Sequence, residues 1–140
     1  MSEKAQTLIE EFSFFDDWEE RYQYMIDLGK NLPAMADADK HDGNKLSGCV
    51  SQVWMVYEDY VDEDGKMRLR FYADSDAILV KGLISLLFRL YQDETPDNIM
   101  SVPIEEVISA IGLASHLSVS RRNGFQSMIT FIRQACRTTE

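Results

Sequence analysis

Two cysteines and two histidines are all that the 140 residues hold of the softer metal-binding side chains. A structural zinc site gathers about four N or S ligands at close range. Cys49, Cys136, His41 and His116 stand far apart with no such spacing, so no metal is expected. Two cysteines are also too few for a disulfide framework. The chain opens on Ser2, Glu3 and Lys4 rather than on a basic, apolar signal segment, and the expectation is reduced thiols in a cytoplasmic protein. Long hydrophobic runs are missing as well. The longest apolar stretch, Ile78 to Leu90, is interrupted by Lys81, Ser85 and Arg89, well short of the roughly 20 apolar residues of a membrane span. Basic residues are scarce, 14 Lys and Arg against 24 Asp and Glu for a net charge of −10. Such a surface repels phosphate backbones, which makes nucleic acid a poor partner. No Gly-rich phosphate loop, dinucleotide fingerprint or nucleophile-elbow serine occurs, so nucleotide and α/β-hydrolase chemistry have no support. With no internal repeat, low-complexity tract or Gly/Pro/Ser-rich linker, residues 1–140 read as one domain.

What is present alternates in character along the chain. Ala5 to Phe12 has the spacing of a short helix. A second begins at Asp16 or Asp17, with Trp18, Tyr22, Met25 and Ile26 at helical intervals and Gly29 placed to end it. Residues 32–48, with Pro33, a run of Asp and Lys and two glycines, read as a long irregular segment. Val53 to Tyr60 and Met67 to Ala73 are β-branched, aromatic or alternating, and Asp64-Gly65 between them predicts a hairpin turn. Residues 42–47 are placed to add a third strand. Trp54 and Tyr57 read as core. Ile78 to Tyr91 is strongly helical, with Ser or Asp at 74–76 available to cap it. Thr95-Pro96 opens a short helix, Ile104 to Ile111 is another closed by Gly112, and Ser118 or Ser120 starts a long last helix. The class is α+β, helices packed on a small antiparallel sheet.

The chemistry falls to the thiols. Cys136 lies on the apolar stripe of the last helix with Phe125, Met128, Ile129 and Ile132, where a cysteine behaves as a small hydrophobe. Cys49 sits in Ser47-Gly48-Cys49-Val50-Ser51, between an irregular segment and a strand, with a glycine that allows unusual backbone angles and small neighbours. Position alone leaves two readings open, a displayed nucleophile and a buried cysteine that happens to begin a strand.

Gly48-Cys49-Val50-Ser51-Gln52-Val53-Trp54 resembles the GCxSQVW active-cysteine segment of the SufE family of sulfur acceptor proteins. Upstream, Trp18-Glu19-Glu20-Arg21-Tyr22 and Leu28-Gly29-Lys30-Asn31-Leu32-Pro33 are similar to the family's WEExY and LGxxLP segments. Downstream, Asp74-Ser75-Asp76-Ala77, Val80-Lys81-Gly82-Leu83 and His116-Leu117-Ser118-Val119-Ser120-Arg121 resemble its DSDA, VKGL and HLTPSR stretches. Val50 stands where many relatives carry Gln, Val119 where many carry Pro, and the hairpin around Tyr60 to Lys66 is longer than in shorter members.

The resemblance implies an α+β fold in which a loop holds the cysteine against an apolar pocket, with no metal or organic cofactor of its own. It implies thiol–persulfide exchange: Cys49 takes sulfur from a SufS-type, pyridoxal-phosphate-dependent cysteine desulfurase, which it also activates, and carries it to a SufBCD-type scaffold for iron–sulfur cluster assembly. The chain is then a sulfurtransferase-type carrier rather than a self-sufficient enzyme. Gly48, Ser51 and Gln52 support the active-cysteine loop in this picture. Arg121 matches the family's Arg and has two readings, a cation that supports a thiolate or persulfide and a helix-start residue paired with surface carboxylates. Asp74 and Asp76 are candidates for partner contact, although helix capping accounts for at least one of them without any function. A homodimer is left open. Two rivals stand beside the carrier: a non-catalytic module that regulates the desulfurase without accepting sulfur, and a thiol hydrolase, which needs a base such as His beside the sulfur.

Overall fold

The computed structural model describes residues 2–49 and 51–139; the Val50 departure lies outside the described residues. Helix α1 (Glu3–Ser13) starts at Ser2, whose hydroxyl accepts from the Ala5 N–H. Helix α2 (Trp18–Lys30) starts at Asp17, whose carboxylate accepts from the Glu20 N–H at 2.9 Å, with Glu19 and Glu20 in its first turn. Both are ordinary N-caps that satisfy donors the helix itself cannot. Residues 31–49 then run irregularly, with 3-10 turns at Asp37–Asp39 and Asp42–Asn44.

Strands β1 (Val53–Val61) and β2 (Met67–Ser75) form an antiparallel hairpin in the register Val53↔Ser75 to Val61↔Met67. Gly65, at φ +80°, supplies the left-handed residue of its turn. The third strand expected from residues 42–47 does not form. Asp42–Asn44 coils into a 3-10 turn, leaving only a bridge at Lys45–Trp54 and one bond from the Leu46 N–H to the Val53 carbonyl, 2.8 Å. Val53, Met55, Leu69, Phe71 and Ala73 face the core. Tyr57 shares that face and lies between the rings of Phe71 and Phe131. Trp54 is one residue out of phase, so it projects from the other face of the hairpin and is half-buried, not core.

Helix α3 (Ile78–Tyr91) runs through the centre, buried around most of its circumference by Leu79, Val80, Leu83, Ile84, Leu86, Leu87, Leu90 and Tyr91. No side chain caps it. Its first flanking residue is Ala77, Ser75 accepts from the Ala77 N–H, and Asp74 and Asp76 are turned to other partners. The capping expected of 74–76 is thereby corrected. Short helices α4 (Pro96–Ser101), capped by Thr95, and α5 (Ile104–Ile111), closed by Gly112 at φ +81°, form as expected. Helix α6 (Val119–Thr139) follows, with Ser118 accepting from the Arg121 N–H. Its stripe Phe125, Met128, Ile129, Ile132 and Cys136 is buried as the spacing predicts.

Gly29 does not end α2, which continues to Lys30. The glycine is there because α2 crosses α3 at backbone contact: a Cβ on Gly29 would lie 2.7 Å from the Gly82 nitrogen, and one on Gly82 would collide with the Met25 carbonyl oxygen. This crossing seats the N-terminal half of α3, whose Val80 and Leu83 reach the site below.

Candidate functional site

Cys49 hangs on a short loop between two ties. At the upstream end the Leu46 N–H donates to the Val53 carbonyl. At the downstream end Asp76 closes a small ring: its carboxylate accepts from the Gln52 N–H at 3.0 Å, and its own N–H donates to the Gln52 carbonyl at 3.3 Å. Between these ties, among the described residues, Ser47, Gly48 and Ser51 make no hydrogen bond to the body of the protein. Gly48 turns the chain at φ +83°, and a Cβ there would sit 3.1 Å from the Ser127 hydroxyl. Both the left-handed backbone and the close approach call for glycine.

The Cys49 sulfur is half-buried against α6, 3.9 Å from the Gly124 carbonyl, a distance at which an S–H contact is weak. Gly124 is itself buried, and a Cβ on it would approach that sulfur to 3.3 Å. The missing side chain leaves room for the sulfur. Beneath the loop lies a pocket of about 390 Å³. Val53, Val80, Leu83, Phe125 and Met128 supply its apolar lining from β1, α3 and α6, while Ser51, Ser118, Ser120 and Arg121 supply its polar part.

Burial pushes the Cys49 thiol up from its ordinary value, and burial is the whole cause. The nucleophile is the thiolate, so a thiol shifted this way is mostly protonated near neutral pH and reacts slowly. Arg121 is exposed and lines the same pocket, yet it contributes nothing that opposes the shift. The resting loop therefore holds a thiol that ionises less readily than a free one.

Asp74, Asp76 and Gln52 divide the remaining work. Asp74 lies under a bracket of lysines, 2.8 Å from Lys40 Nζ and 3.6 Å from Lys81 Nζ, and accepts from the Ser75 N–H. Burial works to raise its carboxyl, but Lys40, the Ser75 N–H and Lys81 outweigh burial and hold it below the usual range. It ties the irregular segment to the end of β2. The loop tie falls to Asp76, a bond across 24 residues of sequence that no local pattern announces. Gln52 takes part through its backbone. His116 stacks on Trp18 with ring centroids 4.1 Å apart, and His41 accepts from the Gly43 N–H. Neither lines the pocket around Cys49, so the structure places no imidazole there to serve a thiol hydrolase.

Removing the tie should release the loop. In Asp76→Ala, alkylation of Cys49 in the free protein is expected to quicken several-fold, with faster hydrogen exchange at the Gln52 amide and little change in melting temperature. Asp76→Asn, which keeps an acceptor oxygen, is expected to restore most of the slow rate. An alkylation rate equal to wild type in Asp76→Ala sinks the loop-tie role.

The structure is an α+β domain that shelters one cysteine on a tied loop above an apolar pocket. Residues 6–136 match the family described as SufE, Fe-S metabolism associated domain. A protein of Rhizobium meliloti (strain 1021) described as an uncharacterized SufE-like protein is 39% identical over 126 residues, 90% of this chain and 89% of the relative. One of Rhizobium etli, described in the same words, is 40% identical over 127 residues, covering 91% and 85%. The chain belongs to the SufE family, and its place is in iron–sulfur metabolism. The solution structure of a hypothetical protein from Thermus thermophilus has the same fold, with a TM-score of 0.73 at 20% identity over 96% of this chain and 94% of that one. No helix among the described residues is long and apolar enough to cross a membrane.

Proposed function

We propose that this chain is a persulfide carrier: Cys49 accepts sulfur from a SufS-type, pyridoxal-phosphate-dependent cysteine desulfurase, stimulates that enzyme by clearing its cysteine, and hands the sulfur to a SufBCD-type cluster scaffold in the cytoplasm. The observation that carries this reading is the sulfur itself, half-buried over an apolar pocket on a loop tied at its two ends. In the transfer the Cys49 thiolate attacks the terminal sulfur of the desulfurase persulfide. A new S–S bond forms on Cys49, the old one breaks, and the desulfurase cysteine leaves as a thiolate. Delivery repeats the step with Cys49 as donor. Storage and reactivity need different surroundings, since burial suppresses the thiolate. The loop must therefore turn outward on meeting the partner, and Asp76 at its tie and Asp74 beneath Lys40 and Lys81 are the carboxylates proposed to meet that partner.

Intact-mass analysis after incubation with a cysteine desulfurase and cysteine tests the reading. Added sulfur is expected on Cys49 and not on Cys136, which is fully buried in the core. Sulfur on Cys136 alone overturns the assignment.

Arg121 enters the proposal as support for the charged, sulfur-loaded form rather than for the resting thiol. In Arg121→Ala the pH titration of Cys49 alkylation is then expected to superimpose on wild type, while sulfur transfer to Cys49 slows several-fold with no loss of stability. A cation held within about 4–6 Å of a developing anion has an effect of that order. Unchanged transfer leaves Arg121 a helix-start residue only.

A further inference from the structure

The two edges of the hairpin are treated differently. Along β2 the outer edge is closed: the Gln92 side chain donates to the Phe71 carbonyl and accepts from the Phe71 N–H, at 2.8 and 2.7 Å. Next to it the Asp93 N–H donates to the Leu69 carbonyl and the Leu69 N–H donates to the Glu94 carbonyl. Along β1 the outer edge is covered over its first residues, where Leu46 bonds Val53 and Lys45 bridges Trp54.

The phase of the ladder shows which groups are left. The Asp62 N–H bonds the Lys66 carbonyl at 2.8 Å as the last rung beside the turn. Bonded and non-bonded rungs alternate in an antiparallel pair, so Val56, Glu58 and Tyr60 spend their backbone groups on β2. Met55, Tyr57, Asp59 and Val61 turn theirs outward. Phe71 and Leu69, opposite Tyr57 and Asp59 in the register, do turn their own N–H and C=O groups away from β1, onto 92–94. The Lys45–Trp54 bridge sets Asn44 opposite Met55, whereas among the described residues nothing bonds the outward N–H and C=O groups of Tyr57, Asp59 and Val61. A groove runs along the first part of this edge, between residues 43–47 and Phe131 of α6.

An open edge of this length is a template for another strand, and proteins commonly blunt one with Pro or Lys. β1 has neither. It leads instead into a cluster of carboxylates, Glu58, Asp59, Asp62, Glu63 and Asp64. Asp62 is paired with Arg68 and Glu58 accepts from the Tyr72 hydroxyl, while Asp59, Glu63 and Asp64 make no ion pair among the described residues. A second copy paired through β1 would press these carboxylates together in a chain already at −10. A strand bearing Lys or Arg meets the opposite condition.

We infer that the outer edge of β1 from Tyr57 to Val61 docks an extended, basic segment of a partner protein, added as a third strand. Backbone bonds from Tyr57, Asp59 and Val61 hold it, and the carboxylates at the far end select its charge. This surface is separate from the sulfur chemistry, so Cys49→Ser should bind such a segment as wild type does.

The test is isotope-labelled full chain titrated with an acetylated, amidated ten-residue peptide that alternates Lys with Val and Thr. Hydrogen exchange is expected to slow by about tenfold or more at the amides of Tyr57, Asp59 and Val61, with no change at Val56, Glu58 and Tyr60. The same peptide with Glu for Lys is expected not to bind, nor is one N-methylated at the residues facing the edge, and added salt is expected to weaken the basic peptide. Asp59→Pro removes one outward donor without breaking a bond to β2, and is expected to weaken binding at least fivefold, whereas Asp59→Asn keeps the alternating pattern at lower affinity. No binding, equal binding of the Glu peptide, or protection without alternation overturns the inference. Protection of the same amides that grows with protein concentration in the absence of peptide overturns the occupant in favour of a second copy.

Discussion

Cys49→Ser is expected to abolish sulfur uptake altogether while leaving the fold intact. The change replaces one atom at a half-buried position, so stability should move by no more than about 1 kcal/mol. The chemistry has no substitute, because the only other thiol, Cys136, is fully buried on the inner face of α6. A serine hydroxyl is a far weaker nucleophile at working pH than even a thiol whose value burial has raised. Intact mass should show no added sulfur after exposure to desulfurase and cysteine, and scaffold loading should fall to background. Calorimetry should still show binding to the desulfurase, since the variant keeps Asp76 and the surfaces around the loop. The same variant decides between carrier and regulator: full stimulation of the desulfurase by Cys49→Ser is the outcome that would falsify the carrier reading.

Gly82→Ala is expected to cost about 3 kcal/mol or more, the upper end of what overpacking does, and to lower the melting temperature by about 10 °C. The added methyl would land on the Met25 carbonyl, and the facing Gly29 leaves no slack, since its own Cβ would meet the Gly82 backbone. Backbone atoms cannot rotate aside as a side chain can, so α2 and α3 must separate. That separation shifts Val80 and Leu83 in the lining of the Cys49 pocket, and faster alkylation of Cys49 should accompany the loss of stability. Gly65→Ala is a useful contrast. Nothing lies near its Cβ, so its cost should be only the strain of a left-handed turn residue, about 1 kcal/mol. Equal melting temperatures for Gly82→Ala and wild type would count against the close crossing.

Local chemistry made much of this protein readable in advance. The helix starts at Asp17 and at Thr95-Pro96, the stop at Gly112 and the hairpin turn at Gly65 are decided within a few residues, by donors that need acceptors and by backbone angles only glycine takes cheaply. The buried stripe of α6 follows from periodicity alone. Where expectation and structure part, a distant partner had intervened. Gly29 reads as a helix terminator by local rules, but α3 demands it inside the helix. Asp74 and Asp76 read as caps for the helix that follows them, and the structure gives them to Lys40, Lys81 and Gln52 instead. Residues 42–47 are placed in the sequence to add a third strand, yet they pair with β1 only through the Lys45–Trp54 bridge and the Leu46 N–H.

Taken alone, the sequence determined the α+β class, the order of nearly every element and the family, and it singled out the cysteine proposed to carry sulfur, because each of these is written in short-range spacing or a contiguous motif. Only the tertiary structure decided the state of that cysteine. Its raised pKa comes from burial against segments that share no local pattern with it, and one of the two ties of its loop is a carboxylate that reaches back across 24 residues. It also decided which edge of the hairpin is closed and which stays open, since Gln92 lies beside β2 only after the chain has passed through α3. Burial, edge pairing and ties between distant residues depend on which surfaces meet, and a linear pattern constrains them only through the fold it produces.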